Sequence, residues 1–104
     1  MTAEDVRGLV EAEINGDWDR PNPHGIDFRR SLVAPQRKDY NDPFNEGTKL
    51  PLWLVLEEHP DSGSGYKIVY DESRRMYGLA IVGQQNEGVF IGYYGTFLET
   101  LDAM

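Results

Sequence analysis

Cysteine is absent from the 104 residues. That excludes disulfides, thiolate nucleophiles and cysteine-ligated zinc together, and it suits a chain kept in a reducing cytoplasm. Histidine is scarce, with only His24 and His59 present. The longest strongly apolar run, "LPLWLVL", falls far below the roughly 20 residues that a bilayer requires. The opening stretch "MTAEDVRGLVEAEING" is acidic and amphipathic rather than basic and then apolar, so it does not read as a signal peptide. These shortages together lead to the expectation of a soluble cytoplasmic protein with no membrane contact. Positive charge is also in short supply. Ten Lys and Arg face eighteen Asp and Glu, a net charge of -8. Such a surface repels a phosphate backbone, which disfavours nucleic acid as a partner. It attracts a basic protein, or simply keeps the chain in solution.

A hydrophobic fraction of 39% with 12% aromatics is enough to drive burial, so the chain is not of disordered composition. Its length fits one domain spanning residues 1–104. Thr2 and Asp5 form a capping box ahead of Val6, Leu9, Val10 and Ile14 at helical spacing, and Gly16 stops the pattern. This predicts a helix over about 3–15. Pro21, Pro23 and Gly25 make "DWDRPNPHG" a loop. "IDFRRSLVA" alternates, with Ile26, Phe28, Leu32 and Ala34 to one side, and reads as a strand. Arg30 breaks the alternation, which a bulge explains better than an inward arginine. Residues 35–49 are polar and rich in turn formers, a long loop of the kind that often carries function, with a short strand near Arg37–Tyr40 as the alternative.

From residue 50 onward the pattern is that of strands. Leu50, Leu52, Leu54 and Leu56 share one face of "LPLWLVLEE", with Trp53 and Val55 on the other. "YKIVYD", "MYGLAIVG" and "VFIGYYG" follow, joined by short polar turns, which is the pattern of an antiparallel meander. Alternation groups Tyr93 with Val89 and Ile91, and Tyr94 with Phe90. Thr96 and Glu99 form a second capping box, and Phe97, Leu98, Leu101 and Met104 give a short last helix its apolar side. The predicted fold is α+β, a mainly antiparallel sheet of four or five strands with an N-terminal and a short C-terminal helix packed on one face.

Chemistry is harder to find. His59 has Glu57, Glu58 and Asp61 beside it, but a strand sends successive side chains to opposite faces, so no metal site is assigned. The serines of "DSGSG" lack a nucleophile elbow and the glycines lack a phosphate-loop lysine, so the segment reads as a hairpin turn. No carboxylate takes a catalytic role and no cofactor is implied. The candidate binding residues are Arg29 and Arg30, which could meet an anion, with Trp53, Tyr66, Tyr70 and Tyr94 as large amphipathic contacts. The plain alternative is that the arginines pair with neighbouring acids and the rings fill strand positions.

"GYKIVYDESRRMYGLAIV" and "VFIGYYGTFLETLDAM" resemble small bacterial proteins of uncharacterised function that end in an aromatic–Gly–Thr/Ser–Phe–Leu helix. The likeness runs from "LPLWLVLEE" to the last residue and brings no catalytic residues with it. In general character the chain is also similar to immunity proteins of bacterial toxin systems, which are small, acidic α+β domains with few cysteines. That likeness implies a non-enzymatic interaction module for a basic partner. Two other readings stand beside it: a homodimer of structural or regulatory use, and a small-molecule or anion binder lined by arginine and tyrosine.

Overall fold

The computed structural model describes residues 1–104. Helix α1 (Ala3–Ile14) begins at the capping box read from the sequence: the Thr2 hydroxyl accepts from the Asp5 amide, and the Asp5 carboxylate accepts from the Thr2 amide. Asn15 ends it in the left-handed conformation. Val6, Val10 and Ile14 are buried, whereas Leu9 is exposed, so the apolar stripe is narrower than the spacing predicted.

The loop that follows is shaped by one side chain. Asn22 accepts from the Ile26 amide at 2.8 Å and donates to its carbonyl at 2.9 Å, closing the proline-rich turn. Residues 26–34 then depart from the predicted strand. The Asp27 carboxylate accepts from the Arg29 amide and caps a single-turn helix, α2 (Phe28–Ser31). Phe28 and Ser31 are buried by it, and Arg29 and Arg30 stand side by side in solvent. The misplaced Arg30 is therefore explained by helical spacing, not by a bulge.

Five strands follow: β1 (Leu32–Asn41), β2 (Lys49–His59), β3 (Ser64–Asp71), β4 (Met76–Val82) and β5 (Gly88–Gly95). The predicted long loop 35–49 is mostly strand, because β1 continues to Asn41 and pairs with β2 as far as Asn41 with Lys49. What remains is the turn 42–48. Successive strands pair antiparallel, and the sheet curls until Asn41 meets Val89 in a parallel contact that closes a five-stranded barrel.

Curling gives the sheet two apolar faces. Its outer face carries Trp53, Val55, Ile68, Tyr70, Tyr77 and Leu79, and these pack against α1 and against α3 (Phe97–Ala103). Its inner face carries Tyr40, Leu52, Leu54, Val69, Ala80 and Phe90, a second core enclosed by the barrel itself. The inward face that the sequence leaves open is thus filled by its own side chains, as in other small barrels.

Bulges alter two sequence expectations. A register shift between Leu54 and Leu56 moves Leu56 to the outer core, away from Leu52 and Leu54. In β5, Ile91 and Tyr94 are extra residues with no opposite number on β4. Tyr93 accordingly packs on Phe90, with ring centroids 4.7 Å apart, rather than sharing the outer face with Ile91.

The last helix is anchored twice. Its Thr96–Glu99 capping box forms as predicted. The two remaining first-turn amides, of Phe97 and Leu98, donate to the Glu13 carboxylate of α1 at 3.0 and 3.2 Å. Every orphan donor of a very short helix is thereby satisfied.

Candidate functional site

Three concave regions lie around one end of the barrel, near the β2–β3 and β4–β5 turns. The largest is a groove of about 590 Å³ on the outer face, floored by Tyr66, Ile81 and Ile91 and walled by Glu58, Val82 and Asn86. Tyr66, Ile81 and Ile91 continue the apolar face that α1 and α3 cover elsewhere. Here Tyr66 remains 39% and Val82 37% exposed.

Glu58 is held in the groove wall by its backbone surroundings. Its Oε1 accepts from the Tyr66 amide at 3.0 Å. The carboxylate lies directly over Gly65, where a Cβ would come within 2.4 Å of the same oxygen and where φ is +80°. Only glycine combines that backbone conformation with that approach.

Glu58 also borders a hollow of about 170 Å³ that gathers both histidines, His24 and His59, with Asp27, Arg30 and Ser31. Nucleophilic catalysis would need a serine hydrogen-bonded to a histidine that a third group orients. The hydrogen bonds here run elsewhere: Asp27 to the Arg29 amide, Glu58 to the Tyr66 amide, and Arg30 to Asp61 at 2.8 Å. No group of three His, Asp or Glu side chains is arranged to hold a metal ion.

The third region is the barrel mouth, about 320 Å³, bordered by Lys38, Asp39, Tyr40, Glu57 and Lys67. Lys67 is buried, and its ammonium donates to Glu57 at 3.3 Å and to the Gly63 carbonyl at 2.9 Å, tying β3 to β2 and to their turn. Burial, reinforced by the Glu57 charge, pushes the Tyr40 phenol up to about 12.

The six candidate residues do not meet in one place. Arg29 pairs with Asp19 at 2.6 Å, and Arg30 with Asp61 across the hollow's rim. Trp53 is buried, its indole donating to Glu72 at 3.3 Å with the Arg37 guanidinium 5.7 Å from the ring centre. Tyr70 is buried against Tyr77, 4.6 Å between centroids, and burial raises its pKa. Tyr94 stays 40% exposed on its bulge. Tyr66 alone lies in the groove. Ile81, Val82 and Ile91 were missed because each reads as an ordinary strand residue, and Glu58 was weighed only as a metal ligand beside His59. The one local signal was "GSG", whose second glycine, Gly65, allows Glu58 to fold over the backbone.

Compared with known proteins, the chain matches no family model, no curated protein and no solved structure.

Proposed function

We propose that the protein is a small non-enzymatic interaction module that binds a basic partner protein, in the manner of a bacterial immunity protein. The observation that supports this reading is the way charge is distributed after folding. Seven of the ten Lys and Arg side chains are ion-paired within the molecule, leaving only Lys38, Lys49 and Arg75 free. Those seven engage seven of the eighteen carboxylates, so eleven have no Lys or Arg beside them. The outward field is therefore negative, and a basic protein would be steered toward it at low salt. Co-purification from the source cell at low ionic strength, followed by reconstitution with the purified partner, tests this. The expected result is a stoichiometric complex with a basic protein that dissociates as salt rises. A partner of acidic charge, or binding indifferent to salt, would overturn it.

A second reading, a homodimer, is favoured by one feature of the barrel. β1 and β5 meet only at Asn41 and Val89, so each keeps most of one edge without a strand partner, and such edges pair readily with another chain. Sedimentation velocity decides the point: a single monomeric species across the accessible concentration range removes the dimer.

A further inference from the structure

The groove on the outer face has the composition of a seat for a particular kind of peptide segment. We infer that it receives an extended segment of the basic partner in which an arginine or lysine lies next to an aliphatic side chain. The inference rests on the proposed role as a module for a basic protein, and it names where and how that partner is read.

The apolar half of the argument comes from the floor. Tyr66, Ile81 and Ile91 come from three adjacent strands at the margin of the helix-covered core, with Ile91 partly buried against that core and Tyr66 exposed. Two of the six exposed large hydrophobic residues, Tyr66 and Val82, fall in this one groove. Tyrosine suits an anchor because it offers a broad rigid face at little entropic cost. Ile91 is present because β5 bulges there.

The charged half comes from Glu58, the single ionisable side chain among the groove's polar lining apart from Tyr66 itself. One of its oxygens is fixed by the Tyr66 amide, while Oε2 has no hydrogen-bond donor from the protein. Nearby cations are already committed, Lys67 to Glu57 and the Gly63 carbonyl, Arg30 to Asp61. His59 lies 3.9 Å from Glu58 Oε1. An incoming ammonium or guanidinium would therefore meet the Glu58 carboxylate without displacing an internal Lys or Arg, and its aliphatic neighbour would cover the exposed floor. Groove and rim form the centre of such an interface, with the remaining free acids steering the approach.

Three blocked hexapeptides separate the outcomes when titrated into the isotope-labelled protein by NMR: Arg-Val-Arg-Leu-Arg-Val, Arg-Gly-Arg-Gly-Arg-Gly and Glu-Val-Glu-Leu-Glu-Val. The first is expected to bind and to shift the amides of Tyr66, Ile81, Val82 and Ile91, and the third not to bind. Glu58→Gln, which keeps an acceptor for the Tyr66 amide, should weaken the first peptide at least about threefold, the order expected for losing one partly exposed charge contact. Tyr66→Ala should do the same through the floor. Equal binding of the glycine peptide, or shifts lying outside the groove, overturns the seat while leaving a basic partner in place. Failure of both arginine peptides overturns the seat, whereas the basic-partner reading stands or falls on the salt-sensitive co-purification.

Discussion

Phe97 shows how much one side chain can hold. It is fully buried, with ring centroids 5.9 Å from Phe28 and 5.8 Å from Tyr77, so it joins α2, β4 and α3 in a single contact. Phe97→Ala should cost about 3–5 kcal/mol, a large share of the ~5–15 kcal/mol available to a domain, read as a drop in the urea midpoint. The phenols give a second prediction at this scale. Tyr40 is pushed up to about 12 by burial and then by Glu57. Tyr93 is also raised to about 12, by burial and then by its hydrogen bond to Asp71. An unfolded tyrosine ionises near 10, so above that pH the unfolded chain holds fewer protons than the folded one. Stability should be intact below pH ~10 and fall as pH rises toward about 12. Tyrosinate absorbance and far-UV circular dichroism followed together would check this: ionisation of all six tyrosines near pH 10 with the fold intact would refute it. Residue roles of this kind were partly legible. Phe97 stood out as apolar beside a cap, whereas the burial of Trp53 and Tyr70 could not be told from exposure, because both faces of the sheet are apolar.

Among the elements, α3 is the clearest case of local signal completed by a distant one. The Thr96–Glu99 box was readable from spacing, but nothing in the local sequence sets Glu13 apart from the other acids of α1. It becomes the cap of the Phe97 and Leu98 amides only because α1 and α3 pack together. Glu13→Ala should destabilise by about 1–2 kcal/mol, the range for a lost helix cap. Hydrogen exchange should show the loss concentrated in α3; uniform loss over all elements would mean that the carboxylate contributes only generally. The β4–β5 pairing has a comparable dependence on Gly78. A Cβ there would lie 2.3 Å from the Gly92 carbonyl oxygen and 2.7 Å from the Phe90 ring, so Gly78→Ala should cost about 1–3 kcal/mol through overpacking. The short helix α2 escaped the sequence reading because four residues are too few to show a period, and alternation from Ile26 to Ala34 imitated a strand.

For the whole molecule, the sheet's closure and the charge balance matter most. Net charge -8 makes the folded state repel itself, and salt screens that repulsion over a Debye length of ~10 Å at 0.1 M. The melting temperature should rise as sodium chloride is added from low ionic strength. A fall instead would mean that the seven internal ion pairs outweigh the repulsion. The Glu57–Lys67 pair should resist screening, since both partners are largely buried; removing one partner would leave an uncompensated charge. No helix is long and apolar enough to cross a membrane.

What the sequence determined by itself is the set of elements whose signals are local. The capped N-terminal helix, read over about 3–15 and found over 3–14, the meander of β3, β4 and β5 with its tight turns, and the second capping box all follow from spacing within a few residues. Tertiary structure decided the rest. A strand's period-two pattern gives the two faces but not the curvature that turns one of them into a barrel interior, and bulges moved Leu56, Ile91 and Tyr94 off the expected count. The groove exists because two helices cover only part of one face, and Glu58 belongs to it because a glycine seven residues later lets the carboxylate reach the Tyr66 amide. Those are distances between elements, and they are fixed only once the elements have packed.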